Sequence, residues 1–194
     1  ATDAAGNTVE IPVVDGVATV APSLVDSLVL TPDADSDDDL ALEITATSTD
    51  GTATNASVPV EVVAVADAPD LTATSAGGAE DTEIALDIAT AVSDTDGSEE
   101  IQSVTISGIP EGAALSVGEV VDGSVTLSPD QLSGLTITPP DDFNGTMDLS
   151  VASTSIEDEN GDTATTTVPL SIGVSAVPDA PVFTLSPTPV SGLE

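Results

Sequence analysis

Apolar and polar residues alternate along most of this chain with a period of two, as in "IQSVTIS" at 101–107 and "DLSVASTS" at 148–155. Alternation of this kind, bounded by Gly, Pro, Asp and Asn, marks half-buried β-strands. Between residues 70 and 178 it predicts strands at 71–75, 83–89, 101–107, 113–121, 124–128, 135–138, 146–156 and 163–175. The turns fall at "DTDG", "GIPEG", "VVDG", "PPDDFNG" and "DENGD", and "SPDQLSG" at 128–134 suits one helical turn. Closely spaced strands with no long helix between them imply an antiparallel β-sandwich of about a hundred residues. The alternation places Ile101, Val104, Ile106, Leu149 and Val151 toward its core. With no Cys and no Trp, the antibody-type signature is missing.

The pattern also repeats. "VVDGVATVAPSLVDSLVLTP" at 13–32 returns as "VVDGSVTLSPDQLSGLTITP" at 120–139, and "ATNASVPVEVV" at 53–63 as "ATTTVPLSIGV" at 164–174. "VADAPD" at 65–70 returns as "VPDAPV" at 177–182. The expected organisation is the C-terminal part of one β-sandwich repeat at 1–66, a complete repeat at 67–178, and a linker with the start of a further repeat at 179–194. Such a chain reads as a window on a tandem array, with the Pro-containing stretches as linkers.

Charge changes the picture most. The 194 residues include 35 Asp and Glu and no Lys, Arg or His, for a formal net charge of −35. Acid on that scale suggests disorder, but 40% of the residues are hydrophobic and they alternate, so the chain should fold with its acid on the surface. Without cations, binding to nucleic acid or to an anionic membrane is disfavoured. Without Cys there is no disulfide, thiolate metal site or thiol catalysis. No apolar run approaches the length of a membrane span, and the first residues lack the basic start of a signal peptide.

The run "LTITPPDDFNGTMDLSVASTSIEDENGDTATTTVPLSIGVSAVPDAP" resembles the C-terminal half of the cadherin-like tandem repeats of large RTX-type, type I-secreted bacterial adhesins. The residues carrying the resemblance are Asp142-Phe143-Asn144-Gly145, Asp158-Glu159-Asn160-Gly161 and the linker Asp179-Ala180-Pro181. The next module's opening is matched by Glu80-Asp81 and the loop from Asp94 to Gly97. The chain departs from the family at Ala66 and Pro178, where many relatives have Asn, and "PDADSDDD" replaces the Phe-Asn-Gly turn in the first copy. The resemblance implies an all-β fold of tandem Ig-like, cadherin-like antiparallel β-sandwich modules joined end to end. It also implies secretion to the bacterial cell surface and a role in adhesion and biofilms.

"AVSDTDGSEE" at 91–100 then poses a physical problem, since it carries four carboxylates and the chain has no side-chain cation. Two unit charges 4 Å apart repel by about 4 kcal/mol at an effective dielectric of 20. A hard cation with oxygen ligands relieves this, and Ca²⁺ suits a flexible all-oxygen site better than Mg²⁺. Loop order in an Ig-like sandwich gathers Glu80, Asp94, Asp96, Glu99 and the 157–162 loop, with Asp158, around the incoming linker with Asp67. Asp179 takes the place of Asp67 in the outgoing linker, completing the expected metal ligands. The competing reading is a set of solvated acidic loops. "PDADSDDD" fails as a helix–loop–helix calcium loop, because Asp38 stands where Gly is needed and Ile44 where Glu is needed.

The function expected from this reading is a calcium-stiffened spacer that projects distal binding domains. Its partners are neighbouring repeats of the same chain, with no nucleic acid and no direct membrane contact; a glycan or protein ligand would bind through other domains of the full-length protein. The alternative is a carbohydrate- or protein-binding β-sandwich, disfavoured by two Phe and no Trp or Tyr. An enzyme is not expected, because nucleophile–base pairs with His or Cys are excluded and only a carboxylate pair remains. The Thr runs near 45–54 and 163–167 are read as β-propensity rather than an ice-binding face, and Asn55 and Asn144 as plain turns despite matching a glycosylation pattern.

Overall fold

A computed structural model describes residues 1–94 and 96–184. The chain is all-β, with two short 3-10 turns. It divides into two compact units, Ala1–Val63 and Ala64–Glu194. The reading of 185–194 as part of a further repeat falls outside the described residues.

Unit 1 holds a 3-10 turn at Pro22–Ser27 and one hairpin, β1 (Leu40–Thr47) with β2 (Ala53–Val60), paired antiparallel from Leu40–Val60 to Thr47–Ala53. Unit 2 holds β3 (Asp70–Thr74), β4 (Ala76–Ala79), β5 (Ile84–Ala85), β6 (Asp87–Ala91), β7 (Glu99–Ser107) and β8 (Ala114–Leu115). After these come β9 (Ser124–Leu127), a 3-10 turn at Pro129–Leu132, β10 (Thr136–Thr138), β11 (Gly145–Glu157) and β12 (Thr163–Ser175).

One sheet of unit 2 runs β4-β12-β11-β7-β9. Opposite it lie the pair β3-β6 and the trio β5-β10-β8. β5 and β6 are separated only by Leu86, whose N–H donates to the Leu135 carbonyl at 2.9 Å. The two layers close in sandwich-like fashion over a core that includes Ile84, Leu86, Ile88, Val104, Ile106, Leu135, Ile137, Leu149, Val151, Leu170 and Ile172. β4 runs parallel to β12, pairing Ile172–Ala76 through Ser175–Ala79. Its Ala-Gly-Gly-Ala sequence has no alternation to read, so the sequence pattern missed it. A Cβ at Gly78 would lie 2.7 Å from Ile84 Cγ1, so the core leaves that position no room for a side chain.

The repeat is visible in the backbone. Asp15 and Asp122 both have φ of 50°, Asp35 and Asp142 have φ of 61° and 57°, and the turns Val14–Val17 and Val121–Ser124 close with the same reciprocal hydrogen bonds. The turn closed by Gly6 N–H on Asp3 O likewise matches the one closed by Ala113 N–H on Pro110 O. Residues 1–63 therefore carry counterparts of β8 to β12.

The counterparts do not all form strands. β9 pairs with β7, and β10 with β5 and β8. Residues 18–20 and 28–31 match β9 and β10 in sequence but form no strand in unit 1. Unit 1 has no counterpart of β7 or β5, so these segments lack the neighbours that the same pattern pairs with in unit 2. Only the hairpin, whose two strands pair with each other, persists.

Candidate metal centres at the two ends of unit 2

The inward-facing row of β11 reads Met147, Leu149, Val151, Ser153, Ser155, Glu157, and all six are buried. Along β11 it changes from apolar to polar. Ser153 Oγ shares a 2.7 Å hydrogen bond with Thr90 Oγ1. Ser155 and Glu157 lie where the chain enters the unit.

The entering segment, residues 64–69, is fastened along its length. Asn160 Nδ2 donates to the Ala64 carbonyl at 2.7 Å, and Ala66 N–H donates to Asp162 Oδ2 at 3.2 Å. Asp67 N–H donates to Glu99 Oε1 at 2.9 Å, and the Asp67 carbonyl accepts from Ser155 Oγ at 2.7 Å. Ser93 Oγ donates to the Ala68 carbonyl at 3.1 Å, and Pro69 is buried. Two loops are tied together around this segment, since Asp158 N–H donates to Ser98 O at 2.9 Å. Asp94 Oδ1 accepts from Asp96 N–H at 2.8 Å, and Asp96 Oδ1 accepts from both the N–H and the Oγ of Ser98.

Three carboxylates at this end are buried, namely Asp94, Glu99 and Glu157. Glu99 and Glu157 are direct register partners on β7 and β11. Glu99 is 7% exposed, and while its Oε1 holds the Asp67 amide, its Oε2 is buried with no hydrogen-bond partner. An unsatisfied buried carboxylate oxygen costs the desolvation of that group. A hydrogen-bond donor or a cation would satisfy such an oxygen, and no side chain of this protein carries a positive charge.

The expected ligands do not all gather here. Asp94, Asp96, Glu99 and Asp158 belong to the two joined loops, and the backbone of Asp67 is held between them. Glu80 is not with them, contrary to the expectation from loop order. Its N–H donates to Ser175 O at 3.0 Å, and its Oε1 accepts from Val177 N–H at 2.6 Å, so it fastens the outgoing segment. The physical reason is β4, which runs parallel to β12 and carries the chain to the exit end before Glu80.

Among the described residues, the acidic group whose ligand oxygens the fold brings within reach of one ion stands at the exit end and is formed by Asp81, Asp142 and Asp179, all within 4.8 Å of one another. All three are exposed. Asp142 N–H donates to Asp81 Oδ1 at 3.1 Å. Of these three, only Asp179 was expected as a ligand from the sequence. Asp81 and Asp142 were read as motif and turn residues, and both adopt left-handed backbone, with φ of 58° and 57°. Asp179, and next Asp81, push the Asp142 carboxyl above its ordinary range. A carboxylate whose pKa is raised by folding opposes folding above that pKa, and the penalty disappears as pH falls and the group protonates. Asp142→Asn is therefore expected to stabilise the metal-free protein slightly near neutral pH. Melting curves should show that gain shrinking as the pH falls to about 4.

Pro178 occupies the place in the outgoing segment that Ala66 occupies in the incoming one. It has no N–H, so the contact that Asp162 makes at Ala66 has no equivalent there.

No protein-family model matches the chain, and no curated protein matches it in sequence. Among the described residues, no helix is long and apolar enough to cross a membrane.

Proposed function

We propose that this chain is a spacer from a tandem array of Ig-like, cadherin-like β-sandwich modules in a secreted bacterial surface adhesin, stiffened at its module boundaries by calcium. The observation that carries the reading is the fastened linker. Residues 64–69 are held by carboxylates and hydroxyls, Glu99 among them, at an end where two further carboxylate side chains, Asp94 and Glu157, are buried in a protein with no side-chain cation. The orphaned Glu99 Oε2 supports a cation at that end. Asp94, Asp96 and Glu99 would hold it, with Asp67 of the linker and Asp158 nearby. At the exit end Asp81, Asp142 and Asp179 would do so. Calcium supplies positive charge and six to eight flexible oxygen coordination positions. The chain's own residues fix the linker backbone, exclude water from Glu99 and set the carboxylates in place.

A mechanical role also accords with what the unit presents. Its interior is filled by aliphatic side chains, Phe143 packs against the core, and the one strongly exposed aromatic ring among the described residues is Phe183 in the exit segment. A sugar site would use exposed aromatic faces for stacking.

Stiffening can be measured with one spin label in each unit. The label–label distance distribution is expected to narrow when calcium replaces chelator. Asp94→Asn combined with Asp96→Asn should leave unit 2 folded and abolish the narrowing. Equal narrowing in the parent and the double variant would remove the 94–99 loop from the mechanism.

A further inference from the structure

The β1–β2 hairpin presents a face that its counterpart in unit 2 never exposes. Leu40, Leu42 and Ile44 of β1 face the same way as Val58 and Val60 of β2. In unit 2 the corresponding face, with Leu149, Val151 and Leu170, is buried. In unit 1, Leu42, Ile44 and Val58 are exposed. No charged residue lies on that face, because Glu43 points to the other side of β1. Both hairpin edges are also open among the described residues, whereas β11 carries β7 and β12 carries β4. A long open edge beside an apolar face is a template for added strands.

We infer that the inner face and edges of unit 1 form a docking surface for a strand segment of the β3–β7 kind, the segment represented in this chain by residues 64–107. The repeat identifies the occupant. Unit 1 carries counterparts of β8 to β12, and in unit 2 those elements share one core with β3 to β7. The segment brings Leu71, Ile84, Leu86, Ile88, Val104 and Ile106 to the shared core. It would also supply the β7 and β5 edges that residues 18–20 and 28–31 need to become strands. Of the segment's buried acids, Glu99 and Glu80 hold the linkers at the two ends and Asp94 sits in the entry loop, so none of them lies in the apolar core. The inference needs no metal and stands whether or not calcium stiffens the boundaries.

The test is a fusion that places a copy of residues 64–107 directly before Ala1, so that Ser107 runs into Ala1 as it natively runs into Gly108. Calorimetry should show a second cooperative transition beside that of unit 2. Backbone amides at 18–20, 28–31, 40–47 and 53–60 should exchange about a hundredfold more slowly than in the unfused chain. Leu42→Asp with Ile44→Asp in the fusion should erase the new transition and the new protection while leaving the unit 2 transition unchanged. A fusion that keeps the single transition and the exchange rates of the unfused chain overturns the inference. So does an unfused chain that self-associates with Leu42 and Ile44 protected, which would assign the face to a second copy.

Discussion

Calcium at a hundredfold excess over its dissociation constant is expected to raise the melting temperature of unit 2 by about 10 °C. Binding to the folded state alone contributes RT ln(1 + [L]/Kd), about 2.7 kcal/mol at that excess. For a unit of this size each kcal/mol moves the midpoint by roughly 3–5 °C. Kd values for extracellular calcium modules run from about 10⁻⁴ to 10⁻³ M, so the titration must reach tens of millimolar. Sodium chloride at matched ionic strength is the essential control, because screening alone stabilises a chain of charge −35. Glu99→Gln is the sharpest variant. The Gln carbonyl can still accept from the Asp67 amide, while the orphan oxygen becomes an amide nitrogen that cannot bind a cation. Together with Asp94→Asn it should remove most of the calcium response and leave the sodium response intact. A rise of equal size in the double variant, or with sodium alone, would return the incoming end to a set of solvated and buried acids with no metal.

The second large effect comes from a matched pair of truncations. Leu135 and Leu28 occupy the same position of the repeat, at the start of the β10 segment. Leu135 is 1% exposed and Leu28 is 45% exposed. Leu135→Ala should cost unit 2 about 2–5 kcal/mol, the range for opening a cavity in a packed core. Leu28→Ala should change stability by no more than about 0.5 kcal/mol, the range for surface positions. Denaturant unfolding of the two variants checks this directly. Equal losses would mean that unit 1 buries the 28–31 segment in solution.

That pair also shows how far the sequence could be read. The long strands were legible because they alternate strictly: the expected 146–156 and 163–175 are observed as Gly145–Glu157 and Thr163–Ser175. The expected strand at 113–121 shrinks to Ala114–Leu115, because a turn with Gly118 at φ of 86° interrupts it. Local pattern could not foresee that 18–20 and 28–31 stay irregular, since their conformation depends on distant strands. At the incoming end the acid of 94–99 was legible through the absence of any cation. Ser155 and Glu157 were not singled out, although their place in the inward row of β11 is written in the alternation itself. The Asp81–Asp142–Asp179 group was not legible, because it requires knowing that β4 runs parallel to β12 and delivers Glu80 and Asp81 to the exit end.

The persistence of the β1–β2 hairpin bears on the order of events when a module folds. β11 and β12 are the same element by repeat, separated only by residues 158–162, so closing that loop costs little chain entropy. β4 must find β12 across about 95 residues of sequence, and β7 must find β11 across about 50, so their pairings carry the larger closure cost. An element that keeps its register with no neighbours can form before them and act as the nucleus onto which they condense. A chain emerging from its N-terminus would then hold β3 to β10 unassembled until its last two strands appear. Assembly would begin at the C-terminal hairpin and end with β4 settling along β12, the step that carries Glu80 to the exit linker.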